Sequence, residues 1–450
     1  MDAGGQKTTM ISCDSELQKL RRRAQGWNPP EKYGYVQRVV GMTLQARGPA
    51  ARVGQQCRLI PDAETAEEVM AEVVGFDANH VILLPLSEVH GIKAGIRIHF
   101  IPGTFTVAVG PQLQGRILDG LGRIMDDKPQ PDNLQQYSIY RSPPDPLARQ
   151  RVVEPLEVGV RAIDGLLTCG RGQRLGIFAG SGVGKSTLLG MIARNSSAYV
   201  NVIGLIGERG REVRDFIEDD LGAQGLKNSV VIAATSDQPP LVRIKSAHVA
   251  TTVAEYFRDQ GKDVMLIMDS LTRFAMAQRE VGLAAGEPPA TRGYPPSVFS
   301  MLPQLLERSG NSDAGTMTAF YSVLVEGDDM DEPITDAVRG ILDGHIHLSR
   351  DLADENHYPA IDILGSVSRL MPDVVSDQHR EAAVEFKRLL AAYEEARDLI
   401  NIGAYQEGSD PKVDRALQLL AEMDGFLQQD VTEQSTLPEA KQQLIKLLSQ

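Results

Sequence analysis

The sequence predicts an α/β core domain with a small β-barrel before it and a helical domain after it. Across 151–375, near-continuous apolar runs alternate with helical segments, which is typical of buried parallel strands joined by helices. Short strand-like runs separated by turn residues occupy 31–105, and helical periodicity begins at about residue 377.

Length, charge and cysteine content exclude several classes of protein. The chain has 450 residues, enough for roughly two to four domains, and its 60 acidic and 46 basic side chains give a net charge of −14. Because non-specific nucleic-acid binding needs a basic face, we expect no nucleic-acid partner. Three separated cysteines, a polar N-terminus and no long apolar run predict a cytoplasmic protein without disulfide bonds or a membrane span.

Residues 1–30 are expected to form a short arm, and 31–105 a barrel domain. Within the arm, 15–25 has a helical composition with three adjacent arginines. These arginines form either a solvated face or a contact for a partner or an acidic membrane surface. Turn residues separate the strand-like runs that predict the barrel, which are 35–40, 56–60, 71–76, 81–84 and 96–100.

The central domain is expected to span 106–375 and to begin with a proline-rich surface connection over 125–150. Its buried parallel strands are predicted at 175–178, 200–205, 230–234, 264–268 and 317–320. The last domain, 376–450, is predicted to be helical. Thr436 and Glu439 have the spacing of a capping box before its final helix.

A glycine-rich loop between a strand and a helix predicts a phosphate-binding site. The strand ends at about Phe178, and backbone N–H groups of the loop can point at phosphate oxygens beside a helix N-terminus. Ala179 departs from the strict motif, which has glycine there. Lys185 can reach the β- and γ-phosphates, and the Ser186 hydroxyl can ligate Mg²⁺. The predicted nucleotide-binding residues are Gly180, Ser181, Gly182, Val183, Gly184, Lys185, Ser186 and Thr187.

Asp269 follows the apolar run 264–268 and so is expected at the carboxyl end of a parallel strand. Ligands of open α/β sheets bind at that edge. The Asp269 carboxylate is therefore predicted to hold Mg²⁺, through its water shell. The alternative is that Asp269 is only a helix N-cap.

Glu208 also follows a predicted strand, in the segment GERGREV (207–213). Hydrolysis needs a carboxylate that orients the attacking water, and Glu208 is the candidate. Arg209 is predicted to neutralise charge on the γ-phosphate. The spacing alone also allows a surface ion-pair network, formed by Glu208, Arg209, Arg211, Glu212 and Arg214.

Five longer segments resemble the type III secretion ATPases, which are related to the catalytic and non-catalytic subunits of rotary ATP synthases. They are GERGREV, ATSDQPPLVRIKSA (234–247), MDSLTRFAMAQREV (268–281), PPATRGYPPSVFSMLPQLLERSG (288–310) and ILDGHIHLSRDLA (341–353). The loop FAGSGVGKST and the stretch VNVIGLIGERGREV resemble the flagellar branch more than the injectisome branch. The resemblance runs from about residue 31 to the C-terminus. It implies a RecA-like P-loop core between the barrel and the helical domain.

The resemblance assigns roles to individual residues. It implies that Glu208 is the catalytic carboxylate and that Tyr358, in His-Tyr-Pro-Ala, packs on adenine. Arg369, in Ser-Val-Ser-Arg, matches the arginine finger that a neighbouring subunit inserts. Packing between domains and a structural salt bridge are the alternatives for Tyr358 and Arg369. Because carboxylate and finger lie on one chain, a homo-oligomer is expected, as a ring of six.

The resemblance also implies a function in protein export. The cofactors would be ATP and Mg²⁺, and hydrolysis would release export substrates from chaperones and feed them to a membrane export gate. The implied partners are a stator or regulator protein, a central stalk protein, the export gate and chaperone–substrate complexes. The protein would work in the cytoplasm, in peripheral contact with the inner membrane.

Three alternatives remain open from the sequence. The chain could be an injectisome ATPase or a rotary-synthase subunit, which belong to the same class. A hexameric nucleic-acid motor such as Rho would share the phosphate loop and a barrel, but 31–105 contains no dense basic and aromatic cluster for stacking bases. A scaffold that binds nucleotide without hydrolysis would not need Glu208 and Arg369.

Overall fold

The computed structural model describes residues 33–60, 68–77, 80–88, 91–325, 327 and 329–449. The arm predicted for 1–30 lies outside them. The first described strands close into an antiparallel barrel in the order β1-β2-β5-β4-β3-β6. They are β1 (Tyr33–Val40), β2 (Thr43–Arg47), β3 (Gln56–Ile60), β4 (Val69–Asp77), β5 (His80–Pro85) and β6 (Arg97–Phe100).

Twelve further strands follow in the described chain. They are β7 (Thr106–Val109), β8 (Arg116–Asp119), β9 (Gln135–Ser138), β10 (Pro155–Leu156), β11 (Cys169–Gly170), β12 (Arg174–Ala179), β13 (Val200–Glu208), β14 (Ser229–Thr235), β15 (Asp263–Asp269), β16 (Thr316–Leu324), β17 (Gly344–Leu348) and β18 (Ile361–Ser368). Eight of them form the central sheet, in the order β18-β17-β12-β16-β15-β13-β14-β8. All neighbouring pairs are parallel except β17 and β18, which are antiparallel.

Helices cover both faces of this sheet. The α-helices are α1 (Arg161–Leu166), α2 (Lys185–Asn195), α3 (Gly210–Asp215), α4 (Gly222–Lys227), α5 (Pro240–Asp259), α6 (Leu271–Ala284), α7 (Pro296–Leu306), α8 (Pro333–Ile341), α9 (Arg350–Asp354), α10 (Met371–Val374), α11 (Asp377–Asn401), α12 (Pro411–Leu427) and α13 (Leu437–Leu448). Side chains of α5, α6 and α7 form one apolar core with the sheet, and α1, α2 and α11–α13 form the other.

The predicted fold class is confirmed: an α/β core lies between a barrel and a helical region. All five predicted central strands are present and parallel, and their side chains are almost entirely buried. The predicted capping box of Thr436 and Glu439 is present at the start of α13. The domain boundaries at 105 and 375 stay a prediction.

The proline-rich stretch over 125–150 is mostly exposed, as expected of a surface connection, but it also contains β9, which pairs antiparallel with β7. Beyond β9, the Tyr140 hydroxyl accepts a hydrogen bond from Lys245 Nζ at 2.9 Å and donates one to Glu72 Oε1 at 3.2 Å. Because Lys245 is fully buried and also donates to Glu72, this cluster ties the barrel to the central domain.

A second buried ionic cluster lies under α5. Arg308 donates from Nε to Glu255 Oε1 at 2.9 Å and from Nη2 to Oε2 at 2.8 Å. Arg308 and Glu255 are 2% and 1% exposed. Further donations to the Ile139 carbonyl and to Thr252 satisfy the guanidinium. A fully paired geometry of this kind is what makes a buried charge tolerable.

Candidate active site

The glycine-rich loop leaves β12 at the carboxyl edge of the sheet and ends where α2 begins. Gly182 and Gly184 have φ values of 80° and 86°, a left-handed conformation that glycine adopts without strain. A Cβ atom at Gly184 would also lie 3.3 Å from the Tyr358 ring. Left-handed residues of this kind fold a loop back on itself, which is the backbone conformation that lets N–H groups approach a phosphate.

Most of the predicted loop residues line one cavity of about 540 Å³, together with Glu208 and Arg209. These are Gly180, Ser181, Gly182, Gly184, Lys185, Ser186 and Thr187. Val183 differs, since its side chain is buried in the apolar core and only its backbone is available to a ligand.

Lys185, which lines this cavity, pairs with the buried Asp269. Lys185 Nζ donates to Asp269 Oδ1, and Ser322 Oγ donates to the same oxygen at 2.5 Å. Asp269 is only 2% exposed, so its charge depends on these partners. The alternative of a helix N-cap is wrong, because Ser270 caps α6 by accepting a hydrogen bond from the Arg273 N–H.

Glu208 lies at the end of β13, with Oε1 at 3.8 Å from Lys185 Nζ. Burial, and then the negative charge of Asp269, raise the pKa of the Glu208 carboxyl to about 7, against a smaller opposing effect of Lys185. Oε1 is buried without a hydrogen-bond partner in the protein. An unsatisfied carboxylate oxygen with a pKa near neutrality is suited to accept a hydrogen bond from a water molecule.

Arg209 is exposed, whereas Glu208 is largely buried. The Arg209 side chain is 76% exposed and pairs with Glu212 at 3.0 Å. Two more exposed pairs follow along the chain, Arg211 with Asp215 and Arg214 with Glu218. Of the ion-pair network given as an alternative, only Arg209 and Glu212 pair with each other in the described chain, and Glu208 makes its ion-pair contact with Lys185.

A second cleft, of about 640 Å³, adjoins the phosphate cavity and shares Gly182, Gly184 and Thr187 with it. Tyr358 lines this cleft and is 39% exposed. The outer wall comes from the chain after α12, and includes Gln428, Gln429, Asp430, Val431 and Glu433. A phosphate cavity joined to a cleft with an exposed aromatic ring matches the shape of a nucleotide.

Arg369 is the one predicted site residue that lies far from this cavity. It follows β18, which runs antiparallel to β17 and pairs Ser368 with Gly344 at the amino end of that strand. The phosphate loop leaves β12 at the opposite edge of the sheet. Arg369 Nη1 donates to the Leu342 carbonyl at 3.4 Å, and Arg369 forms no salt bridge with the described residues.

The phosphate cavity is also lined by three residues that were not predicted from the sequence, Arg273, Thr272 and Arg350. Arg273 Nε is buried without a hydrogen-bond partner, and its charge opposes the rise in the Glu208 pKa. The sequence could have indicated this position, because Arg273 lies four residues after Asp269, at the start of the helix that follows the strand.

Among the described residues, no helix has both the length and the apolar character needed to cross a bilayer.

The fold and this site define the chain as a P-loop nucleotide hydrolase with a RecA-like core. Residues 159–368 match the model of the ATP synthase alpha/beta family, nucleotide-binding domain, and 375–446 match that of the T3SS EscN ATPase C-terminal domain. The chain belongs to the family of type III secretion ATPases, and specifically resembles its flagellar members.

Curated relatives support this assignment over most of their length. The flagellum-specific ATP synthase of Bacillus subtilis is 52% identical over 91% of this chain and 94% of that protein. The corresponding protein of Salmonella typhimurium is 51% identical over 92% and 93%. A type 3 secretion system ATPase of Xanthomonas euvesicatoria is 50% identical over 88% and 90%.

A solved structure agrees. The assembled ATPase EscN from enteropathogenic E. coli is 48% identical, with a TM-score of 0.88 over 92% of this chain and all of that one. The predicted family and ATPase activity are thereby confirmed, and the chain is an ATPase of the flagellar type. The roles predicted for individual site residues stay predictions.

Proposed function

We propose that this protein is a homo-oligomeric motor that hydrolyses Mg·ATP to drive protein export. The observation that carries the proposal is the convergence of Lys185, Asp269 and Glu208 beneath the phosphate loop, with Arg369 at the opposite edge of the sheet. One surface of the chain thereby has the residues that bind nucleotide and activate water, and the opposite surface has an arginine that can neutralise phosphate charge.

The residues present fit a nucleotide and its magnesium ion. The loop glycines leave open the space that side chains would fill, and Glu208 Oε1 lacks a protein partner. The Ser186 hydroxyl and the Asp269 carboxylate are oxygen donors, which Mg²⁺ prefers. These two residues would hold the ion, which supplies neutralisation of phosphate charge when bound.

In the proposed mechanism, Lys185 exchanges its contact with Asp269 for the β- and γ-phosphate oxygens. Glu208 accepts a hydrogen bond from the attacking water and holds it in line with the γ-phosphorus. Arg209 and the half-buried Arg273 add positive charge on the same side. Tyr358 packs against the adenine in the adjoining cleft.

Arg369 cannot serve the site of its own subunit, because it lies at the other edge of the sheet. We infer that it completes the site of a neighbouring subunit in a ring of six. The related EscN is described as assembled, and as a complex with its central stalk EscO. By analogy we propose a stalk partner for this chain, along with the stator, the export gate and chaperone–substrate complexes.

The proposed location is the cytoplasmic face of the inner membrane, where these partners would meet the ring. One experiment tests the proposed motor: ATPase activity measured against protein concentration for the wild type, Glu208→Gln and Arg369→Ala. Specific activity of the wild type should rise with concentration, and both variants should stay near background, since a trans arginine contributes ~10³–10⁵ in rate. Full activity of Arg369→Ala would remove the shared-site assignment.

A further inference from the structure

The second cleft, in which Tyr358 is proposed to pack on adenine, is the base cleft. Its outer wall belongs to the C-terminal helical region. Helix α12 ends at Leu427, and the next residues, 428–433, face Tyr358 across the cleft. The position of this wall therefore depends on whatever holds the end of α12 against the nucleotide-binding core.

Arg194 Nη2 makes one bond of that attachment, to the Val431 carbonyl at 2.7 Å, and Arg161, the first residue of α1, makes several. Its Nε donates to the Phe426 carbonyl at 3.0 Å and its Nη2 to the Gln428 carbonyl at 2.6 Å. Its Nη1 donates to Glu433 Oε1 at 2.6 Å. Arg161 is 8% exposed, so these bonds form largely away from solvent. A guanidinium on the last carbonyls of a helix satisfies acceptors that the helix cannot.

The same segment, 428–433, also contacts Tyr358 on the other wall of the cleft. The Arg161 backbone N–H donates to Gln429 Oε1 at 2.7 Å, and Gln429 donates from Nε2 to the Gly159 carbonyl at 2.9 Å. The Gln429 N–H donates to the Tyr358 carbonyl at 3.0 Å. Both walls of the cleft thus meet at one buried glutamine, which is bonded to the Arg161 backbone and is flanked by the residues to which the Arg161 side chain donates, Gln428 and Glu433 among them.

We propose that Arg161 is a positioning residue that fixes the outer wall of the base cleft and so sets the affinity for the nucleobase. The inference rests on the proposed function, because it presumes that the cleft receives adenine. Arg161 touches neither the phosphate cavity nor Glu208, so its effect should be confined to the base. Lysine cannot replace it, since one ammonium cannot reproduce the planar fork that reaches two carbonyls and a carboxylate.

The proposal gives α12 a means to alter nucleotide affinity. A displacement of α12 would break the bonds to the carbonyls of Phe426 and Gln428 and open the wall. By linkage, nucleotide binding would favour the docked position of α12 to the same extent.

The test compares Arg161→Gln with Arg149→Gln in the full-length protein. Arg149 also donates to helix-end carbonyls, those of Glu307 and Ser309 beyond α7, but it is outside the cleft. Calorimetry would measure the Kd of Mg·ADP and of Mg-pyrophosphate, which lacks a base. Arg161→Gln should weaken Mg·ADP about tenfold and raise the KM for ATP similarly, with kcat and pyrophosphate binding nearly unchanged. Arg149→Gln should change neither affinity.

Unchanged Mg·ADP affinity in folded Arg161→Gln, or an equal loss for Mg·ADP and pyrophosphate, would overturn the proposal. Should Arg161→Gln fail to fold, Glu433→Ala decides, because Glu433 is partly exposed and loss of its carboxylate removes only two hydrogen bonds, those donated by Arg161 Nη1 and by the Asp430 N–H. A severalfold weaker Mg·ADP affinity with normal pyrophosphate binding supports the proposal, and unchanged values contradict it. A wild type that bound neither ligand would instead refute the proposed ATPase site.

Discussion

Lowering the pH from about 8 to about 6 should reduce kcat/KM for ATP about tenfold, because Glu208 must be ionised to hold the attacking water. Burial and the nearby charge of Asp269 raise the pKa of the Glu208 carboxyl to about 7. With that pKa, roughly nine-tenths of the free enzyme is ionised at about pH 8 and roughly one-tenth at about pH 6. An ordinary glutamate, with a pKa of about 4.3, would be ionised across this whole range.

The assay is initial-rate ATP hydrolysis at low substrate with constant free Mg²⁺, since kcat/KM reports the pKa of the free enzyme. The matched control is Glu218→Gln, which removes an exposed glutamate paired with Arg214 and should leave the profile unchanged. The residual kcat/KM of Glu208→Gln should not fall as the pH is lowered from about 8 to about 6. A wild-type kcat/KM that is constant between these pH values, or the same fall in Glu208→Gln, would refute the assignment of Glu208.

Three further substitutions have defined outcomes. Glu208→Gln should raise the free energy of unfolding by up to ~3 kcal/mol at about pH 8 and by less at about pH 5, because a carboxyl whose pKa is raised from 4.5 to about 7 destabilises the fold once ionised; no gain in urea denaturation at the higher pH would contradict this. Tyr358→Ala should raise the KM for ATP about tenfold with little change in kcat, whereas Tyr358→Phe keeps the ring and the KM; equal kinetics for both variants would exclude base packing. Arg308→Ala leaves the buried Glu255 carboxylate with only the longer ion pair to Arg141 Nη1, at 3.5 Å, and should cost ~3–5 kcal/mol in urea denaturation, against less than ~1 for the exposed Arg214→Ala; similar losses would contradict the burial argument.

The parts of the fold that the sequence predicted are those with strong local signals. The parallel strands are apolar along their whole length because both faces of the sheet are covered, and β13 is buried at every position except its last. Several strands were not predicted, β2, β8 and β18 among them. These three are short or half-exposed, and β18 has two exposed residues in its middle, Leu364 and Gly365, so none has a long apolar run.

The same distinction applies to the site. Lys185, Glu208 and Asp269 were predicted together because each ends or follows a parallel strand, and those ends share one edge of the sheet. The outer wall of the base cleft could not be predicted in this way. The Arg161–Gln429 hydrogen bond joins residues 268 positions apart, and packing of a separate helical region brings them together.

The central claim is that two subunits share each site, and mixing two inactive variants tests it most directly. Glu208→Gln retains Arg369, and Arg369→Ala retains Glu208, so a mixed ring contains interfaces with one intact copy of each. Equal mixing should restore ATPase activity to as much as about one quarter of wild type, the fraction of complete interfaces in a randomly assembled symmetric ring. Mixtures as inactive as the separate variants, under conditions in which mixed rings form, would contradict a shared site.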